Sequence, residues 1–303
     1  MSIIVEHLSK SYGKQRVLND ISFSIGTGEV VAFLGNNGAG KSTTMKIITG
    51  YVEADAGQVS VCGIDVRKNP LEANRRIGYL PEHNPIYPEM FVKEYLMFIA
   101  GVYGLGREAT ERVDLMIEKT GLVKEYKKKI GTLSKGYRQR VGLAQALIHD
   151  PDVMILDEPT TGLDPNQIVE VRDLIKEIGR EKTVLLSTHI MQEVSAICDR
   201  VIIINNGRIA VDDSESRIVS HDSQSRHMIE IEFLNAADAD FIKEIQGVID
   251  VMQISPKRFV VEAETDLRER IFSSCASKNA VLITLKLQEL SMEDVFRSVT
   301  SKK

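Results

Sequence analysis

The stretch VVAFLGNNGAGKSTTMKIITG, residues 30–50, limits the possible folds more than any other part of the chain. It begins as a continuous apolar run, the pattern of a strand buried on both faces of a parallel sheet, and changes to helical spacing after Lys41. Between the two lies Gly35-Asn36-Asn37-Gly38-Ala39-Gly40-Lys41-Ser42, followed by Thr43; the eight residues to Ser42 fit G-x-x-x-x-G-K-[ST] in the strand-to-helix setting that motif requires. Glycines there let successive backbone N–H groups converge on phosphate oxygens, and the helix start adds a favourable dipole. Lys41 is placed to reach terminal phosphates and Ser42 to ligate Mg²⁺. A chain built on this unit is an α/β protein with a parallel sheet.

A phosphate cradle of this kind needs a metal-side carboxylate at the end of a neighbouring buried strand. VMILDEP supplies it: Asp157 for Mg²⁺, then Glu158 to orient or deprotonate water beside the terminal phosphate. TVLLST, residues 183–188, is another buried-strand pattern, and His189 directly behind it is placed to touch the same phosphate. Lys41, Glu158 and His189 are therefore the candidate catalytic residues. The net charge of −5 gives no global basic field for nucleic acid. The cysteines, Cys62, Cys198 and Cys275, are odd in number and far apart, which fits a reducing compartment and neither a disulfide framework nor a metal knuckle. MSIIVEHLSK is too short and polar for a signal peptide, and no apolar run approaches the roughly 20 residues of a membrane span. The expectation is a cytoplasmic protein that works at a membrane only through a partner.

Along the chain the pattern changes character twice. Residues 87–150 contain VKEYLMFIAGVYG, EATERVDLMIEKTG and YRQRVGLAQALIHD, each with apolar residues at helical spacing and a Gly or Asp stop, so a helical subdomain is expected inside the α/β core. Strands resume with VMILD, TVLLST and RVIIIN, and Asp164-Pro165 is an N-cap and first-turn pair. Residues 212–227, DDSESRIVSHDSQSRH, read as a short helix followed by a linker at 221–227. From 228 to 303 the order β-α-β-β-α-β is expected, a split-βαβ, ferredoxin-like α+β domain, closed by a helix at SMEDVFRSV whose Ser291 and Asp294 have capping-box-like spacing.

The phosphate loop, LSKGYRQR at 133–140, ILDEPTTGLDP at 155–165 and LLSTH, in this order, resemble the nucleotide-binding domain of ABC ATPases over about residues 2–220. The resemblance implies a P-loop NTPase core, ATP and Mg²⁺ as cofactors, and ATP hydrolysis. In that family the segment here at 133–137 faces the ATP held by a second domain, so Ser134 and the backbone at Gly136 would close the partner's nucleotide. Tyr12 corresponds to the aromatic that stacks on adenine, and Asp164 to the aspartate of the loop joining the two sites. Glu82, in IGYLPEHNPIYP, stands where the family usually has glutamine and would hold a metal-bound water. The signature departs from the common LSGGQ: Lys135 replaces a glycine, and either strengthens the anion site or lies in solvent, while Tyr137 replaces the glutamine.

IGYLPEHNPIYPEMFVKEYL and the long segment from LSKGYRQR to DLIKEIG are similar, more narrowly, to ATP-binding subunits of ABC-2-type transporters, specifically the gliding-motility-associated subunits of Bacteroidetes. The function so implied is a transport motor: two copies join on ATP, and a polytopic membrane permease follows their motion on the cytoplasmic face of the inner membrane. Ile86, Tyr87, Met90 and Phe91 would offer that permease an apolar groove, unless they pack inside the helical subdomain. The competing class is a non-transport ABC ATPase acting on nucleic acid or ribosomes. Repair types carry long coiled-coil insertions and translation types two nucleotide domains in one chain; neither pattern occurs here, nor does an NKxD-like guanine-reading motif.

Overall fold

The computed structural model describes residues 1–214, 227–236, 240–288 and 292–301. The chain divides into two units, Met1–Ser214 and Glu215–Lys303. The first unit opens with β1 (Ile3–Tyr12), β2 (Gln15–Ile25), β3 (Val30–Leu34), α1 (Lys41–Ile48), β4 (Ala56–Val61), β5 (Ile64–Asp65), α2 (Pro70–Arg75) and β6 (Ile77–Leu80). The helices α3 (Val92–Val102), α4 (Ala109–Lys119) and α5 (Lys135–Leu147) follow. It closes with β7 (Val153–Asp157), α6 (Pro165–Gly179), β8 (Thr183–Thr188), α7 (Met191–Ile197), β9 (Arg200–Asn205) and β10 (Arg208–Asp213).

Six strands form one sheet in the order β10-β9-β3-β8-β7-β6, parallel except for β10, which runs antiparallel to β9. Every residue of β3, β7 and β8 is buried, because both faces of the sheet are covered. The period of two along a strand divides them between two cores. Val31, Phe33, Val153, Ile155 and Leu185 meet α1 and the first hairpin on one face. Val30, Met154, Leu156, Val184 and Leu186 meet the helical subdomain on the other. Within that subdomain Tyr95, Leu96 and Ala100 of α3 pack with Val113 and Met116 of α4 and Val141 and Ala144 of α5. The Tyr95 hydroxyl donates to Gln145 Oε1 at 2.5 Å, so the large buried ring brings no unsatisfied polar atom with it.

A second, antiparallel sheet, β2-β1-β4-β5, covers the α1 side. The alternation that would announce it in the sequence is broken. His7 takes a left-handed φ of 51° in β1, and the register of β1 on β2 shifts three times.

The second unit contains β11 (His227–Phe233), α8 (Asp240–Lys243), β12 (Val248–Ser255), β13 (Arg258–Ala263), α9 (Arg268–Ser277), β14 (Leu282–Gln288) and α10 (Met292–Ser301). The first six follow the expected β-α-β-β-α-β order, and the sheet runs β12-β13-β11-β14, all antiparallel. Ile229, Ile231, Phe259 and Val261 from its two central strands pack on Ile271 and Cys275 of α9. The helix expected within 212–227 does not begin at Asp212. Asp212 and Asp213 extend β10, paired with Ile202 and Val201, because a two-residue turn at Asn206-Gly207 returns the chain along β9. His227, expected to end the linker, already opens β11, and residues 215–226 and the Ser291 cap lie outside the described residues.

Candidate nucleotide site

The phosphate loop leaves the end of β3 between β8 and β9 and turns into α1 at Gly40, whose φ of 117° suits only glycine. A Cβ at Gly40 would also meet a Leu18 methyl at 2.5 Å, so the first hairpin presses directly on the loop. No side chain caps α1, which leaves its first-turn N–H groups free for an anion. Lys41 is only 7% exposed, and its Nζ donates to the Gly35 carbonyl at 2.6 Å. Among the described residues no carboxylate comes within ion-pair distance of it. A buried ammonium without a counter-charge, beside open helix amides, fits a polyphosphate. Asn36, Asn37 and Gly38 form the exposed rim of the loop, while Ala39 is buried under it.

The acid pair ends β7. Asp157 is buried and accepts from the Ser187 hydroxyl at 2.6 Å, while the Glu158 N–H donates to that same hydroxyl at 3.0 Å. Ser187 thus fixes both acids from the adjacent strand β8. Sequence reasoning passed over it; the only signal is the Ser187-Thr188 hydroxyl pair that ends the apolar run Val184-Leu185-Leu186. Glu158 has a left-handed φ of 52°, a conformation costing a non-glycine residue roughly 1–3 kcal/mol. Its Oε2 accepts from Thr161 Oγ1 at 3.1 Å and from His189 Nδ1–H at 2.8 Å. The imidazole is 57% exposed against 10% for the carboxylate, so the pair has one sheltered and one accessible member. The three catalytic candidates thus lie at the ends of β3, β7 and β8, neighbours in the sheet.

Ser42, Asp157 and Glu82 line one cleft of about 690 Å³, together with Lys46, Tyr79 and Gln145. One hydroxyl and one strand-end carboxylate, with an exposed second carboxylate, are the sparse oxygen donors that suit Mg²⁺ held mainly by phosphate and water. The Tyr79 hydroxyl in this cleft has no partner among the described residues, and burial, reinforced by the Asp157 charge, pushes its pKa upward. It stays a neutral donor at any physiological pH.

Ser134 and Gly136 are not brought to this cleft. Gln145, which lines it, is eleven residues along α5 from Ser134, roughly 16 Å at 1.5 Å per residue. Ser134 is exposed and caps α5 by accepting from the Tyr137 N–H at 3.4 Å. The turn rests on its own chain's next loop: a Cβ on Gly136 would strike the Gln167 side chain at 2.5 Å, and one on Gly162 would strike Lys135 Nζ at 2.2 Å. Lys135 is exposed, with its ammonium lying over that loop. Asp164 closes the loop as the α6 N-cap, accepting from the Gln167 N–H at 3.0 Å. Tyr12, 49% exposed at the tip of the first hairpin, has Lys10 Nζ 5.6 Å from its ring centroid. Its face is available for stacking, on the hairpin whose Leu18 touches Gly40.

The profile of the ABC transporter family matches residues 18–161. The chain is 33% identical to the linearmycin resistance ATP-binding protein LnrL of Bacillus subtilis (strain 168), over 98% of this chain and 97% of that protein. A solved structure of an ATP binding subunit of an ABC transporter superposes with a TM-score of 0.68 at 33% identity, covering 74% of this chain and 94% of the other. The structure of cbiO1 from Clostridium perfringens, described as part of the ABC transporter complex cbiONQ, gives a TM-score of 0.64 at 29% identity, covering 73% and 94%.

Proposed function

The chain belongs to the family of ABC transporter ATP-binding subunits and is an ATPase, and from that premise we propose that it works as one half of an ATP-closed homodimer driving a membrane permease. The observation that carries the reading is the separation, within one chain, of a catalytic set from a signature turn one helix length away. Lys41, with the backbone of residues 35–43, binds the phosphates of ATP, and Tyr12 stacks on the adenine. Ser42, Asp157 and Glu82 would hold Mg²⁺, which supplies charge neutralisation on those phosphates. Glu158 takes a proton from, or orients, the attacking water, with His189 presenting its exposed edge to the terminal phosphate. Ser134 and the Gly136 backbone close the other copy's nucleotide.

Among the described residues no helix is long and apolar enough to cross a membrane, so on this reading force passes through a surface contact. Tyr87 and Phe98, edge-on with ring centroids 5.9 Å apart, and Phe91 are exposed on the helical subdomain beside the Glu82 cleft, while Ile86 and Met90 pack partly into the core. This face supports the permease contact and a place on the cytoplasmic side of the inner membrane. The description of cbiO1 as part of an ABC transporter complex supports transport in general. The narrower role in gliding motility rests on the sequence resemblance at residues 77–96 and 133–179 alone.

Replacing Glu158 by Gln keeps the shape and removes the charge. Turnover should fall by a factor of roughly 100 to 1,000, with ATP still bound. Steady-state ATPase and equilibrium ATP titration of the same preparation check this; unchanged turnover would remove Glu158 from its role.

A further inference from the structure

Glu193 is the most thoroughly enclosed carboxylate near the site, 1% exposed at the start of α7, and no role in the reaction above uses it. One of its oxygens, Oε1, accepts from the Thr160 hydroxyl, and the other, Oε2, accepts from the Thr188 hydroxyl at 2.6 Å. Arg172 Nη2 stands 3.9 Å from Oε1. Both threonines are themselves buried. Thr188 Oγ1 also accepts from the Ile190 N–H at 3.0 Å, closing the turn that carries His189.

The placement of these two threonines gives the cluster its meaning. Thr160 lies two residues after Glu158, and Thr188 immediately precedes His189. One carboxylate therefore ties together the two chain segments whose side chains meet in the Glu158–His189 hydrogen bond. A buried charge is costly wherever an apolar side chain would serve, and its two separate oxygens here are used for two separate segments. We propose that Glu193 is a positioning residue for ATP hydrolysis, clamping residues 158–161 against residues 188–190 so that Glu158 and His189 share one fixed geometry. The proposal rests on the reading of Glu158 as the catalytic carboxylate.

A glutamine has one acceptor oxygen in place of two, so in Glu193→Gln one threonine hydroxyl must reverse direction and the two segments separate slightly. A misplacement on the order of 1 Å at a reacting group costs about 100-fold in rate. The test measures ATPase of the full chain for Glu193→Gln, Thr188→Val and Thr188→Ser, each also in a His189→Ala background. The expected result is a kcat lowered roughly 10- to 100-fold with KM for ATP within about twofold of the parent. Thr188→Ser should recover most of what Thr188→Val loses. In the His189→Ala background Glu193→Gln should add less than about twofold, because both act on one pair. An equal loss in both backgrounds, a loss of ATP affinity in step with kcat, or turnover unaffected by Glu193→Gln would each overturn the clamp. Glu158→Gln separates the two readings. If it hydrolyses ATP normally, the catalytic pair and the clamp fall together; if it is inactive while Glu193→Gln is active, only the clamp falls.

Discussion

At the start of α1 the backbone turns through Gly40 at φ 117°, Lys41 is buried against the Gly35 carbonyl, and a hairpin and two strands enclose the loop. At the start of α5, Ser134 and Lys135 stand in solvent, and the turn leans on Gly162 and Gln167 of the same chain. Both are helix N-termini suited to phosphate. The first is enclosed by its own sheet. The second presents its anion-facing side outward, as a surface would that acquires its ligand from another molecule. On the proposed reading, phosphate affinity and turnover belong to different levels of assembly: one chain would suffice for the first, and two would be needed for the second.

The largest test of that contrast is Lys41→Ala. Removing this buried ammonium should lower ATP affinity roughly 10- to 100-fold, read by equilibrium titration of the isolated chain. Ser134→Arg should do the opposite. Affinity for ATP should stay within about twofold of the parent, while ATP-dependent dimerisation in a Glu158→Gln background disappears from sedimentation profiles. A dimer that survives Ser134→Arg would mean that the exposed turn is an ordinary capped helix and that the comparison fails.

The smallest effect concerns how α5 is rooted at its other end. His149, just beyond α5, stacks on Tyr103 with ring centroids 3.8 Å apart, and its Nε2–H donates to the Ile77 carbonyl at 3.0 Å. Burial, opposed by that carbonyl, pushes its pKa down to about 4. The ring is therefore neutral in the fold while the unfolded chain titrates near 6.5. This contribution is complete above pH 6.5 and is lost as pH falls to about 4, since only the unfolded state takes up the proton. After allowance for partial exposure it amounts to ~2 kcal/mol. His149→Gln should flatten the fall in Tm between those pH values; an unchanged slope would place the acid sensitivity elsewhere.

The sequence made the enclosed end legible because its chemistry is local. A buried strand, three glycines, a lysine and a hydroxyl sit within fourteen consecutive residues, and VMILDEP repeats the economy at β7. Ser187 and Glu193 were opaque for the converse reason. Their roles depend on which strand lies beside which, and β8 falls between β3 and β7 although it comes last of the three in the chain. The β2-β1-β4-β5 sheet was hidden by the left-handed residue His7 and the register shifts that follow it, which erase the period of two. Asp212 and Asp213 have the composition of a loop, yet they extend β10 because backbone pairing with β9 continues past the turn regardless of side chain.

The placing of β8 has one more consequence. Adjacent strands stand about 4.8 Å apart, so the loop after β3 and the acids after β7 are held two strand widths, roughly 10 Å, from each other. That interval is set by the main-chain pairing of three adjacent strands. The sheet acts as a ruler whose graduation is indifferent to sequence. Substitution can change which groups occupy its marks, as Glu82 just beyond β6 illustrates, without altering the spacing between them.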